Sequence, residues 1–165
     1  MSAGQHVGSD HQLARLLQIG VVLEEVVEAR AYRNYQSLTD EERKLDPEIE
    51  ALLEDAAEES ADHRERLETL IEELDADSIP FEQIERLVEA KYGQTKPEDF
   101  DGILYDQLCN EETAYKFYDD LIAAIEASDA EFSVDRERLV GVLEAIRAEE
   151  ADGVEEVTEV METRT

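Results

Sequence analysis

The chain reads as an all-α protein, a four-helix bundle made of two antiparallel helical hairpins. Three observations predict it. Four long stretches carry apolar residues at the 3.6-residue period of an amphipathic helix, and turn-forming residues separate them. One segment also occurs twice, residues 28–38 reading E-A-R-A-Y-R-N-Y-Q-S-L and residues 111–121 reading E-E-T-A-Y-K-F-Y-D-D-L. The shared pattern is E-x-x-A-Y-K/R-x-Y-x-x-L, so the halves look like copies of one hairpin.

The first helix is expected over 11–35, with Leu13, Leu16, Leu17, Gly20, Val21, Val27, Ala31 and Tyr35 on one stripe. Ser9 or Asp10 can cap it. Residues 1–9, with Ser2, Gly4 and Gly8 and no periodicity, are expected to be disordered ahead of a single bundle domain over 10–162. After a turn at 37–46, Asp46 and Pro47 place a capping residue and a first-turn proline at the start of the second helix, 47–74. Its stripe of Ile49, Leu52, Leu53, Ala56, Leu67 and Leu70 is interrupted by Ser60 and His63. Residues 75–101 are too many for a tight turn. They read as a long crossover between the second and third helices, with a short helix over 81–92 ended by Gly93. The third helix is expected over 101–127, and the fourth from Ser133 or Val134 to about residue 161, with Leu139, Leu143, Ile146, Glu150, Gly153 and Val157 inward.

Along the repeated segment, Glu28, Ala31 and Tyr35, like Glu111, Ala114, Tyr118 and Leu121, fall on one helical face. Glu28 and Glu111 are therefore expected to turn inward, and a charged residue on a core stripe needs a partner or a cation.

Composition narrows the function classes. The chain has 165 residues with 45 acidic against 15 basic, a net charge of -30 spread over every segment. Apolar periodicity argues against a disordered acidic chain. Uniform acidity fits molar salt, where repulsion is screened over roughly 3 Å, and a halophilic source is expected. Nucleic acid and anionic membranes are poor partners, because phosphate binding needs clustered Lys and Arg. Cys109 is the single cysteine, so no internal disulfide forms, and it is read as a packing residue in a reducing, cytoplasmic setting. No run approaches the ~20 apolar residues of a membrane span. No P-loop, G-x-G-x-x-G or Ser/His/Asp pattern occurs, nor a calcium loop.

The repeated motif resembles the first and third helices of the ferritin-like superfamily, most closely its rubrerythrin-type members. The resemblance covers about residues 10–162 and implies a ferritin-like four-helix bundle with a long B–C crossover. It also implies a di-metal carboxylate centre built from one Glu on each of two helices and E-x-x-H on the other two. Carried over by position, the metal ligands would be Glu28, His63, Glu111 and Glu150. The second helix offers S-x-x-H, with Ser60 where the family has Glu, and the fourth offers E-x-x-G, with Gly153 where the family has His. Glu59, one turn before His63, and Glu24, one turn before Glu28, could swing in as substitutes. Tyr35 and Tyr118 would act behind the ligands, their hydroxyls orienting opposing carboxylates.

Iron, manganese or zinc suits this donor set, as one ion or two. Iron as a pair would imply ferroxidase or peroxide-reducing activity, hence protection against oxidative stress. No C-x-x-C pair is present for a rubredoxin-like domain. The resemblance also implies a homodimer, with Tyr32 and Tyr115 at a helix or subunit seam. Read from the residues alone, His63 could equally be a hydrogen-bonded core histidine, and Tyr35 and Tyr118 ordinary core residues. The rival function is then a metal-free bundle serving as a dimerisation or partner-binding module.

Overall fold

The computed structural model describes residues 7–37, 47–76, 86 and 100–163, with side chains described except at 32, 34–37, 100–106 and 163. Four helices account for nearly all of them: α1 (Asp10–Ser37), α2 (Pro47–Glu73), α3 (Phe100–Glu126) and α4 (Arg136–Thr163). The described residues contain no strand. Their ends follow local chemistry. Ser9 Oγ accepts from the Gln12 amide at the start of α1, and Asp135 Oδ2 accepts from the Arg138 amide at the start of α4. The Arg136 guanidinium donates to the Ile125 and Ala130 carbonyls, satisfying one acceptor in the last turn of α3 and one beyond it.

Helices α1 and α2 form one hairpin and α3 and α4 the other, while α1 also meets α3 and α2 also meets α4. Every neighbouring pair is antiparallel. Asp10 reaches residue 75 while Glu24 reaches His63, and Arg147 pairs with Asp119. Across the hairpins, Arg30 pairs with Asn110 and Glu73 with Arg138. The second and third helices therefore run parallel on a diagonal, so the chain between them has to return the full length of the bundle. That is why a long crossover is required. Apart from Arg86, which is helical and exposed, the expected short helix lies outside the described residues.

Asp10 closes one end. Its carboxylate accepts from the amides of Asp75 and Ser133 and from the Ser133 hydroxyl, tying three elements together. Those bonds outweigh its slight burial and hold the carboxyl below its ordinary range. The N-terminal segment, expected to be loose to residue 9, is packed from Val7 onward. Val7 is buried in the core, and its carbonyl accepts from Ser128 Oγ. Cys109 is half-buried.

The core is divided into two levels along the bundle axis. A larger apolar cluster holds Leu13, Leu17, Leu67, Tyr118, Leu121 and Leu139, and a smaller one holds Ala31, Ile49, Leu53 and Val157. Among the buried residues, Glu24, Ser60, His63, Gln107, Asn110, Glu111 and Glu150 supply the polar atoms at the middle of the bundle. Close approach beside this layer depends on Gly20, where a Cβ would lie 3.0 Å from the Phe117 ring and 3.1 Å from Leu67. A larger side chain must push α1 off both neighbours, so Gly20→Val is expected to cost about 1–3 kcal/mol, read from the shift in urea midpoint at unchanged slope.

Candidate metal centre

Five ionisable side chains meet at mid-bundle. Glu24 comes from α1, Glu59 and His63 from α2, Glu111 from α3 and Glu150 from α4. The spacing on α2 explains its double contribution, since residues four apart lie on one side of a helix. His63 Nδ1 donates between two carboxylates, 3.0 Å from Glu150 Oε1 and 3.2 Å from Glu24 Oε1. The Tyr118 hydroxyl donates to the same Glu24 oxygen at 2.5 Å, and Gln107 Nε2 donates to Glu111 Oε1 at 2.9 Å. Glu111 and Glu150 are hydrogen-bonded to each other through their carboxyls, which requires a shared proton.

Protonation follows from this crowding. Burial first, then neighbouring carboxylates, pushes Glu150 far above the ordinary carboxyl range. Glu111 is raised by burial as well. Glu59, raised by burial and then by Glu111, is pushed up to about 7. For His63 burial works toward the neutral ring, but the Glu24 hydrogen bond and the surrounding carboxylates prevail and raise its pKa. Burial and the Glu24 carboxylate hold the Tyr118 phenol well above its usual value.

The structure brings together His63, Glu111 and Glu150 with both named substitutes, Glu59 and Glu24. Glu28 is not among them. Its side chain, 31% exposed, accepts a 2.8 Å bond from Arg64 on the flank of the α1–α2 hairpin. Glu24, one turn earlier and fully buried, takes the central position on α1 instead. The register correction has a simple cause: residues four apart differ by about 40° around a helix, which turns Glu28 toward Arg64. Tyr35 has its side chain outside the described residues, as does Tyr32.

Glu149 and Gln107 escaped the sequence reading, which had Gly153 only as the position of a missing His. Glu149 Oε2 lies 3.4 Å from His63 Nε2, and its carboxylate is held by both terminal nitrogens of Arg66 at 2.8 and 3.2 Å. Nothing in the helical pattern separates Glu149 from the other surface acids. Gly153 contributes by having no side chain, because a Cβ there would stand 2.5 Å from Glu111 Oε2 and 2.7 Å from its carboxyl carbon. The Glu111 carboxylate thus occupies the space where a residue on α4 would project.

A family model described as Rubrerythrin matches residues 26–136, well over half of the chain. The chain belongs to the rubrerythrin family. None of the curated proteins and none of the solved structures matches it. The rubrerythrin match contains α2 and α3 whole but starts after Glu24 and stops where α4 begins, so the placement of Glu24 and Glu150 comes from the fold. A ferritin-like, rubrerythrin-family domain implies metal binding, and the residues present fit a cation. Glu24, His63 and Glu150 each bring a ligand atom within 4.8 Å of the others, and so do Glu59, Glu111 and Glu150. Three buried atoms, Glu24 Oε2, Glu59 Oε1 and His63 Nε2, have no hydrogen-bond partner, which a fully satisfied core avoids.

Two expectations follow. Every raised group here keeps its proton to higher pH in the fold than in the unfolded chain, so the ion-free fold loses stability as pH rises. For Glu59 that loss begins near the ordinary carboxyl value of 4.5 and runs through about 7. Ion-free protein should melt lower at about pH 8 than at about pH 5.5, with a shallower dependence in Glu59→Gln; scanning calorimetry across that range measures both. The other concerns Gly153→Ala. The displaced atoms end a flexible side chain and Ala gains about 1 kcal/mol of helix propensity, so stability should hold or rise. Glu111 must leave its place beside Glu150, and divalent-cation affinity should fall about tenfold or more in a calorimetric titration.

Proposed function

We propose that the protein binds divalent metal, iron foremost, at the mid-bundle cluster and acts in iron or peroxide handling, with a di-metal carboxylate centre altered from its family's pattern. The observation that carries this reading is the meeting of four Glu side chains and one His from four separate helices at the level where the apolar core is interrupted. Buried carboxylates without cations are costly, and carboxylate with imidazole is the donor set that suits iron and manganese. Bound iron would supply a redox centre for ferroxidase or peroxide-reducing chemistry.

The chain's own residues would do the rest. Tyr118 fixes the rotamer of Glu24, and Gln107 fixes that of Glu111. Arg66 holds Glu149 against the outer nitrogen of His63, which orients the ring. Leu17, Leu67 and Leu121 belong to the apolar cluster on one side of the layer and Leu53 and Val157 to the one on the other, keeping bulk water from the centre. A homodimer fits the family reading, with Tyr115, 38% exposed on α3, as an apolar side chain left open to a partner. A net charge of -30 supports work in high salt. No helix among the described residues is long and apolar enough to cross a membrane, and the single cysteine favours a cytoplasmic setting.

Protein purified without chelator should carry at least one divalent ion per chain by elemental analysis, and iron-loaded protein should consume added peroxide. Glu150→Gln, which alters the residue common to both ligand groups at nearly constant volume, should weaken binding tenfold or more while the helical spectrum is unchanged. Wild-type protein that binds no ion at any metal tested would instead support a metal-free bundle whose central carboxyls are satisfied by protons, Tyr118, Gln107 and His63.

A further inference from the structure

The two ligand groups at mid-bundle are chemically unlike. Glu24, His63 and Glu150 offer two oxygens and a nitrogen, whereas Glu59, Glu111 and Glu150 offer oxygen alone, and Glu150 is the one residue they share. We infer that the centre is a pair of unequal cation positions bridged by Glu150: a sealed one carrying the imidazole, and an exchangeable all-carboxylate one built on Glu59. This deepens the metal-binding reading above and rests on it.

Charge sets the number of ions. The four carboxylates, with a neutral His63, carry the charge of two divalent cations. A single ion would leave two carboxylates in the core to be neutralised by protons.

Substitutions at the family's motif positions make the positions unequal. On α4, where the rubrerythrin-type pattern has a His, Gly153 leaves an opening that the Glu111 carboxylate fills. One imidazole is thereby lost, and the position it would have served keeps oxygen donors alone. On α2, where that pattern has a Glu, Ser60 is buried and too short to reach, and the neighbouring Glu59 turns in from the side. One residue is about 100° of helix rotation, so Glu59 approaches from the edge of the bundle and its side chain stays 29% exposed, against 0% for Glu24 and His63.

Its free oxygen, Glu59 Oε1, has no hydrogen-bond partner. Beside it on the α2–α4 seam stand Glu149 and Asp62, both clasping Arg66. The oxygen-only position therefore faces an acidic approach from solvent, while the imidazole position is closed by the layers on either side.

The metal preferences follow. Imidazole favours iron and zinc over magnesium, and an all-oxygen set favours harder ions such as manganese or magnesium. The chain should accept one zinc and one manganese together, with manganese at the Glu59 position.

The test is a titration of the intact protein with zinc to one equivalent and then with manganese, followed by brief chelator treatment and elemental analysis. Manganese paramagnetic resonance would report bound against free ion. We expect one zinc retained, one manganese bound and then stripped, and no manganese uptake by zinc-loaded Glu59→Gln, whose zinc content stays at one. Loss of both ions at the same rate would overturn the inference, as would full manganese uptake by Glu59→Gln or saturation of the wild type at a single ion. Failure of the wild type to bind any ion would overturn the metal-binding reading itself, a distinguishable result.

Discussion

Four carboxyl groups and one imidazole confined to a single level of a helical bundle form the constraint on which the rest of the molecule depends. An isolated buried carboxylate costs several kcal/mol even after relaxation, so each has to be matched by a proton, a donor or a cation. The fold supplies all the donors it can reach. Tyr118 and His63 serve Glu24, Gln107 serves Glu111, and a shared proton joins Glu111 to Glu150. Buried polar atoms on Glu24, Glu59 and His63 are still unmatched after that accounting. This residue of unmet polarity is the physical argument for a cation.

The scaffold holds the cluster with rigid parts. Each of the five side chains stands on a long helix, and each helix is flanked by two antiparallel neighbours. Helix-borne groups locked by packing are positioned more tightly than groups on loops. Gly20 lets α1 come close to Phe117 and Leu67, which sets the reach of Glu24 one turn later. Around the centre, Arg64 and Arg66, one and three residues after His63 on α2, hold the partly exposed carboxylates of Glu28 and Glu149. In a chain with 15 basic residues, two of them stand where the central acids come nearest the surface.

Much of this was legible in the residues. The four helices, the family and the long return between α2 and α3 follow from apolar period, capping residues and the repeated Tyr motif, because those are local or patterned signals. His63, Glu111 and Glu150 stood out as polar interruptions of otherwise apolar stripes. The register of α1 did not follow. Glu24 and Glu28 both border the inward face, and the repeat selected Glu28 because its neighbours Ala31, Tyr32 and Tyr35 match the later copy. What decides between them is Arg64 on another helix, a contact that no single-helix pattern contains. Glu149 was hidden for a related reason, since its role comes from Arg66 and the edge of His63. The burial of Val7 depends on Ser128, far along the chain.

The most direct test of a cation-centred core is an anomalous-scattering map from crystals grown with divalent manganese and zinc, collected at the absorption edge of each. The account predicts metal peaks at mid-bundle, one against His63, Glu24 and Glu150 and one against Glu59, Glu111 and Glu150. A map without a peak there, with His63 still hydrogen-bonded between Glu24 and Glu150, would contradict it.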